Sequence, residues 1–126
     1  MVPPHELERL RAAGAPTDWP LYRSPAGHEE NLTRLPDPDP AHVDELYVSD
    51  LPDGWYAVTS PAAGAGFGLR WDLGVFPYLW LWRTLGPAAG YPWYGRSYTL
   101  GLEPFSSVPP QYAGARAAGT LHRLPP

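Results

Sequence analysis

Tyr98-Thr99-Leu100-Gly101-Leu102-Glu103-Pro104-Phe105-Ser106-Ser107-Val108-Pro109-Pro110 is the stretch around which the other segments arrange themselves. It starts with a period of two. That period puts Tyr98, Leu100 and Leu102 on one face of a strand and Thr99, Gly101 and Glu103 on the other. The first face is large and apolar, and the second stays small until it reaches a carboxylate. Pro104 has no N–H for a sheet ladder, so the strand is expected to end at Glu103. An acid on the last residue of a strand, with small neighbours that leave room for an approaching molecule, suits a catalytic or sugar-binding carboxylate at a sheet rim. The competing reading is a solvated strand-end acid.

The segments before it repeat the period. Tyr78 to Arg83 places Tyr78, Trp80 and Trp82 on one face with Leu79 and Leu81 behind them. Phe67 to Asp72 and Trp55 to Ser60 read as two strands joined by the loop Pro61-Ala62-Ala63-Gly64-Ala65, a hairpin pattern. Glu45 to Ser49 is a shorter strand, and Leu51-Pro52-Asp53-Gly54 is the turn after it. Beyond Pro110, Tyr112 to Ala118 has no decisive pattern, and Gly119 to Leu124 is expected to be a last short strand. The fold class is therefore all-β, an antiparallel β-sandwich, with a short N-terminal helix over His5 to Gly14 after Pro3-Pro4. Residues 15 to 44 are irregular, and Leu35-Pro36-Asp37-Pro38-Asp39-Pro40 must be extended. Two parts follow: 1–44, the helix and Pro-rich segment, and 45–126, the β-sandwich portion.

Composition narrows the function classes. The chain of 126 residues is long enough for one domain, burying roughly two-thirds of its unfolded surface. Its 18 Pro and 13 Gly approach the disordered range, but six Trp, eight Tyr and three Phe oppose disorder. These aromatics crowd between Tyr47 and Tyr112. The net charge is −4, all nine cations are Arg, and no basic tract marks a nucleic-acid or anionic-membrane surface. There is no Cys, hence no disulfide and no thiolate nucleophile. Residues 1 to 20 lack an apolar leader segment, and the apolar run from Val75 to Trp82 is broken by Pro77, so a cytoplasmic location is expected.

Glu103 is the candidate catalytic residue. Gly101 on its face supports that reading, because Gly within a strand often marks close approach by a ligand or another backbone. Trp80 and Trp82 are candidate sugar-stacking rings, against the alternative that an aromatic stripe is core. Arg83 and Arg96 are candidate cations to hold Glu103 ionised or contact a substrate, and Arg96, in the loop feeding the key strand, is preferred. His5, His28, His42 and His122 are scattered without metal-ligand spacing, so no metal is expected. Asn31-Leu32-Thr33 fits a glycosylation sequon, a weak signal without a secretory leader.

Phe67-Gly68-Leu69-Arg70-Trp71-Asp72, then Phe76-Pro77-Tyr78-Leu79-Trp80-Leu81-Trp82, then Tyr98-Thr99-Leu100-Gly101-Leu102-Glu103-Pro104 resembles the C-terminal part of the galactose mutarotase-like superfamily, the aldose 1-epimerases and relatives. The resemblance spans about residues 45 to 124. It implies a supersandwich of many antiparallel strands, a monosaccharide or sugar derivative as ligand, and no cofactor. It also implies that Glu103 is the general base, taking the proton of the anomeric hydroxyl while a His protonates the ring oxygen. The family's catalytic His residues have no counterpart here, since neither His28 nor His42 sits in a matching motif. The chain therefore reads as the base-bearing C-terminal portion, expected to be inactive alone and to self-associate through exposed sheet edges. A noncatalytic carbohydrate-binding module using Trp80, Trp82 and Arg96 is the alternative.

Overall fold

A computed structural model describes residues 19–23, 27–36, 42–86, 90, 91, 94–109 and 111–123. The expected helix over His5 to Gly14 lies outside the described residues. Among the described residues, seven strands and one helix follow in order: β1 (Leu21–Arg23), β2 (Glu29–Asn31), β3 (His42–Val48), β4 (Trp55–Ser60), β5 (Ala65–Arg70), β6 (Tyr78–Gly86), β7 (Ser97–Phe105) and α1 (Tyr112–Ala118). They make a two-stranded sheet β1-β2, a three-stranded sheet β3-β6-β7 and a two-stranded sheet β4-β5. The β-rich class is as the period of two predicted.

The β4–β5 hairpin forms where the sequence places it. It is antiparallel, pairing Trp55 with Arg70, Tyr56 with Leu69 and Val58 with Phe67. The Ser60 carbonyl accepts from Ala63 N at 3.1 Å to close the turn, and Gly64 takes a positive φ of 60° that a side chain would resist. The second strand starts and ends two residues earlier than expected, at Ala65–Arg70 rather than Phe67 to Asp72. Asp72 instead closes a turn: its Oδ1 accepts from Gly74 N at 2.7 Å and its carbonyl from Phe76 N at 2.9 Å.

β6 is the middle strand of its sheet and the most buried element. Leu79, Trp80, Leu81 and Leu85 are core residues, and Arg83 and Thr84 are buried with them. Its near-continuous apolar run follows from burial on both faces. β7, at the sheet edge, does not stop at Glu103. It continues through Pro104 to Phe105, which an edge strand allows, because a missing N–H costs no ladder bond on its open side.

The C-terminal segment departs most from expectation. Tyr112–Ala118 is a helix, in keeping with the helix propensity of its four Ala. Gly119, at φ 71°, ends it. Gly119 N donates to the Arg116 carbonyl at 3.2 Å and Thr120 N to the Ala115 carbonyl at 3.0 Å, a paired C-terminal closure. The strand expected over Gly119 to Leu124 is absent from the described residues 119–123. A left-handed Gly119 lies outside strand geometry, and the Thr120 hydroxyl turns back to bond the Val108 carbonyl.

The chain divides into two compact units. One comprises Met1–Leu46 with Leu81–Gly101, the other Tyr47–Trp80 with Leu102–Pro126. Each unit is discontinuous in sequence, and β3, β6 and β7 contribute residues to both.

Candidate functional site

Glu103 and Trp80 belong to the second unit, Trp82 and Arg96 to the first. Glu103 is exposed on β7, and its carboxylate has no hydrogen bond or ion pair among the described residues. One residue earlier, the Leu102 carbonyl accepts from the Tyr56 hydroxyl at 3.3 Å. Tyr56 in turn meets Phe67 edge-on and Trp71 at a tilt, both with ring centroids 5.9 Å away. Trp71 is held by its own Nε1, which donates to the Phe76 carbonyl at 2.9 Å. An anchored aromatic group therefore adjoins the backbone that carries Glu103. Its outermost ring, Phe67, is 62% exposed. This group was not among the candidate site residues of the sequence, where Phe67 to Asp72 served as a hairpin strand and as part of the family-like motif. The signal available was Tyr56 and Phe67 at neighbouring hairpin positions on one face.

Trp80 does not offer a stacking surface. It is 8% exposed, lies parallel to Phe105 at 3.6 Å and meets Tyr47 edge-on at 5.6 Å. Its Nε1 has no hydrogen-bond partner among the described residues. The aromatic stripe is core at this position because Phe105 and Tyr47 cover the Trp80 ring. Trp82 is half-buried on β6. Arg96 is exposed, with no hydrogen bond or ion pair among the described residues, directly after Gly95 at φ 69°.

Arg83 has another role from the one foreseen. Only 1% exposed, it spends its guanidinium on two carboxylates of its own unit. Nε donates to Asp44 Oδ1 at 2.7 Å, NH1 to Glu30 Oε1 at 2.6 Å and NH2 to Glu30 Oε2 at 3.0 Å, with a further NH2 bond to Asp44 Oδ2. Burial alone would lower the Arg83 pKa, but the hydrogen bonds and charges of Asp44 and Glu30 outweigh it and hold the pKa above its ordinary value. Tyr22, across from Glu30 in the β1–β2 register, has its phenol pKa raised, first by burial and then by Asp44 and Glu30, with Arg83 opposing. Arg83 thus ties β6 to β2 and β3. With four of its five N–H groups committed, it is a structural ion pair rather than a partner for substrate.

Among the described residues no group of three or more His, Cys, Asp or Glu is placed to hold a metal. No helix among them is long and apolar enough to cross a membrane. Comparison with protein-family models, with curated proteins and with solved structures returns no match.

Proposed function

We propose that this chain is a carbohydrate-binding protein of the aldose 1-epimerase type, in which Glu103 is the general base. The observation that carries the reading is the exposed carboxylate of Glu103 on β7, next to the backbone position at which the Tyr56–Phe67–Trp71 group is anchored. A carboxylate with no partner among the described residues is available to accept a proton from a sugar hydroxyl, and aromatic faces suit the C–H face of a pyranose. The motif order from Phe67 to Pro104 supports the same reading, as does the β-rich, antiparallel character of the hairpins. A sandwich arrangement of the sheets is part of the proposal.

In this mechanism Glu103 removes the anomeric hydroxyl proton, the ring opens as an acid protonates the ring oxygen, and closure on the other face gives the other anomer. Glu103 supplies the base alone, so the chain by itself is expected to bind sugar with little or no turnover. Polarimetry on freshly dissolved α-anomer tests this: mutarotation no faster than buffer is expected. Catalysis that Glu103→Gln abolishes would overturn the inactivity and establish the base together.

A second reading, a noncatalytic sugar-binding module, is favoured by the exposed rings of the β4–β5 hairpin, Phe67 and the 59% exposed Trp55. Titration with monosaccharides, followed by Trp fluorescence, separates the two. Binding that survives Glu103→Gln but not Phe67→Ala supports the module. Binding lost in both variants supports the base-bearing site. No binding of any monosaccharide removes both.

A further inference from the structure

The C-terminal end of the chain carries a cavity that the sugar reading does not use. It has a volume of about 580 Å³ and is lined by Tyr112, Arg116, Leu121, His122 and Arg123. Tyr112 and Arg116 are four residues apart on α1, so they share a helix face. The closure at Gly119 reverses the chain, and Leu121, His122 and Arg123 supply the rest of the wall.

The charge at this cavity is opposite to that of the whole chain. From Pro104 to Pro126 the sequence holds no Asp or Glu, although the net charge of the chain is −4. Elsewhere Arg23, Arg70 and Arg83 each sit against a carboxylate. The guanidinium groups of Arg116 and Arg123 have no ion pair or hydrogen bond among the described residues, yet both side chains line the same concave space. Two guanidinium forks, a phenol and an imidazole form a donor-rich wall, and no carboxylate is among its lining residues. At the end of α1, the Ala115 and Arg116 carbonyls accept from Thr120 N and Gly119 N.

We propose that this cavity is a binding site for an organic phosphomonoester. Two positive charges match a phosphate dianion better than a carboxylate, and guanidinium forks fit phosphate oxygens in pairs. Leu121 and the ring of Tyr112 provide an apolar patch for the organic part at the side of this open, solvent-facing hollow. The proposal is independent of Glu103 and of the sugar reading.

Phenyl phosphate titrated into the full chain, followed by the His122 ring resonances, is the test. A saturable shift is expected, weaker in high salt, with the affinity falling about ten-fold in Arg116→Gln or Arg123→Gln, the loss of one charged hydrogen-bonding group. Arg116→Lys should fall between, since it keeps the charge and loses the fork. Both arginines are exposed, so far-ultraviolet circular dichroism should match the parent in every variant. No saturable shift, or a shift unchanged in both Gln variants, overturns the site. Benzoate binding as tightly as phenyl phosphate overturns the assignment of the ligand class.

Discussion

Arg83 shows how burial redirects a residue whose type is ambiguous. An Arg on a strand next to aromatics reads equally as a substrate contact or an ion-pair member. Burial to 1% exposure decides the matter, because a desolvated guanidinium needs compensating charge, and Glu30 and Asp44 supply it. Arg83→Leu leaves those two carboxylates facing each other, and we expect a loss of about 3 kcal/mol in unfolding free energy, measured by urea denaturation. Tyr22 gives a pH signature of the same cluster. Its phenol pKa is raised in the folded state, mainly by burial. The folded chain therefore keeps this proton to higher pH than the unfolded chain does. The contribution to stability is complete below the unfolded value of about 10 and is lost as pH rises through the folded value. Tyr22→Phe should flatten that alkaline decline in thermal melts; an unchanged decline would assign it to other groups. Trp80 makes the opposite point to Arg83: its type was legible, but which side of the aromatic stripe is covered depends on Phe105 and Tyr47, remote in sequence.

At the scale of elements, the β4–β5 hairpin was almost fully legible. Alternation, a Gly-containing loop and two β-prone runs agree with one another, and local agreement of this kind needs no distant partner. β7 and α1 were less so. Whether Pro104 ends a strand depends on whether that strand is at an edge, which is a property of the sheet and not of the residue. The stretch from Tyr112 to Leu124 mixes Ala-rich and β-branched signals, and Gly119 resolves it by capping a helix instead of opening a strand. Thr120 locks that outcome. Its Oγ1 donates to the Val108 carbonyl and accepts from Val108 N at 3.2 Å, joining the segment after β7 to the residue that follows α1. Thr120→Val keeps the shape and leaves the half-buried Val108 groups unpaired, so a cost of about 1–2 kcal/mol is expected by chemical denaturation. A neutral result would mean that water replaces the hydroxyl.

At the scale of the whole molecule, the chain cannot be cut at residue 44 without consequence. The sequence divides there by composition, Pro-rich before and aromatic-rich after. The first compact unit, however, joins Met1–Leu46 to Leu81–Gly101, and both acids that neutralise Arg83 lie before residue 45. A chain of residues 45–126 would bury a cation with neither partner. We expect it to lose the cooperative thermal transition of the full chain by circular dichroism; an equally cooperative melt would make residues 1–44 dispensable. What the sequence determined by itself was whatever rests on local chemistry: the period of two, the hairpin, and Glu103 as an acid on a strand beside a small residue. What only the tertiary structure decided was burial, pairing and convergence. Trp80 went to the core, Arg83 to Glu30 and Asp44, and Arg116 and Arg123 to one cavity. The physical reason is that desolvation and Coulomb terms depend on neighbours brought from far along the chain, whereas strand period and turn geometry depend on the residues next door.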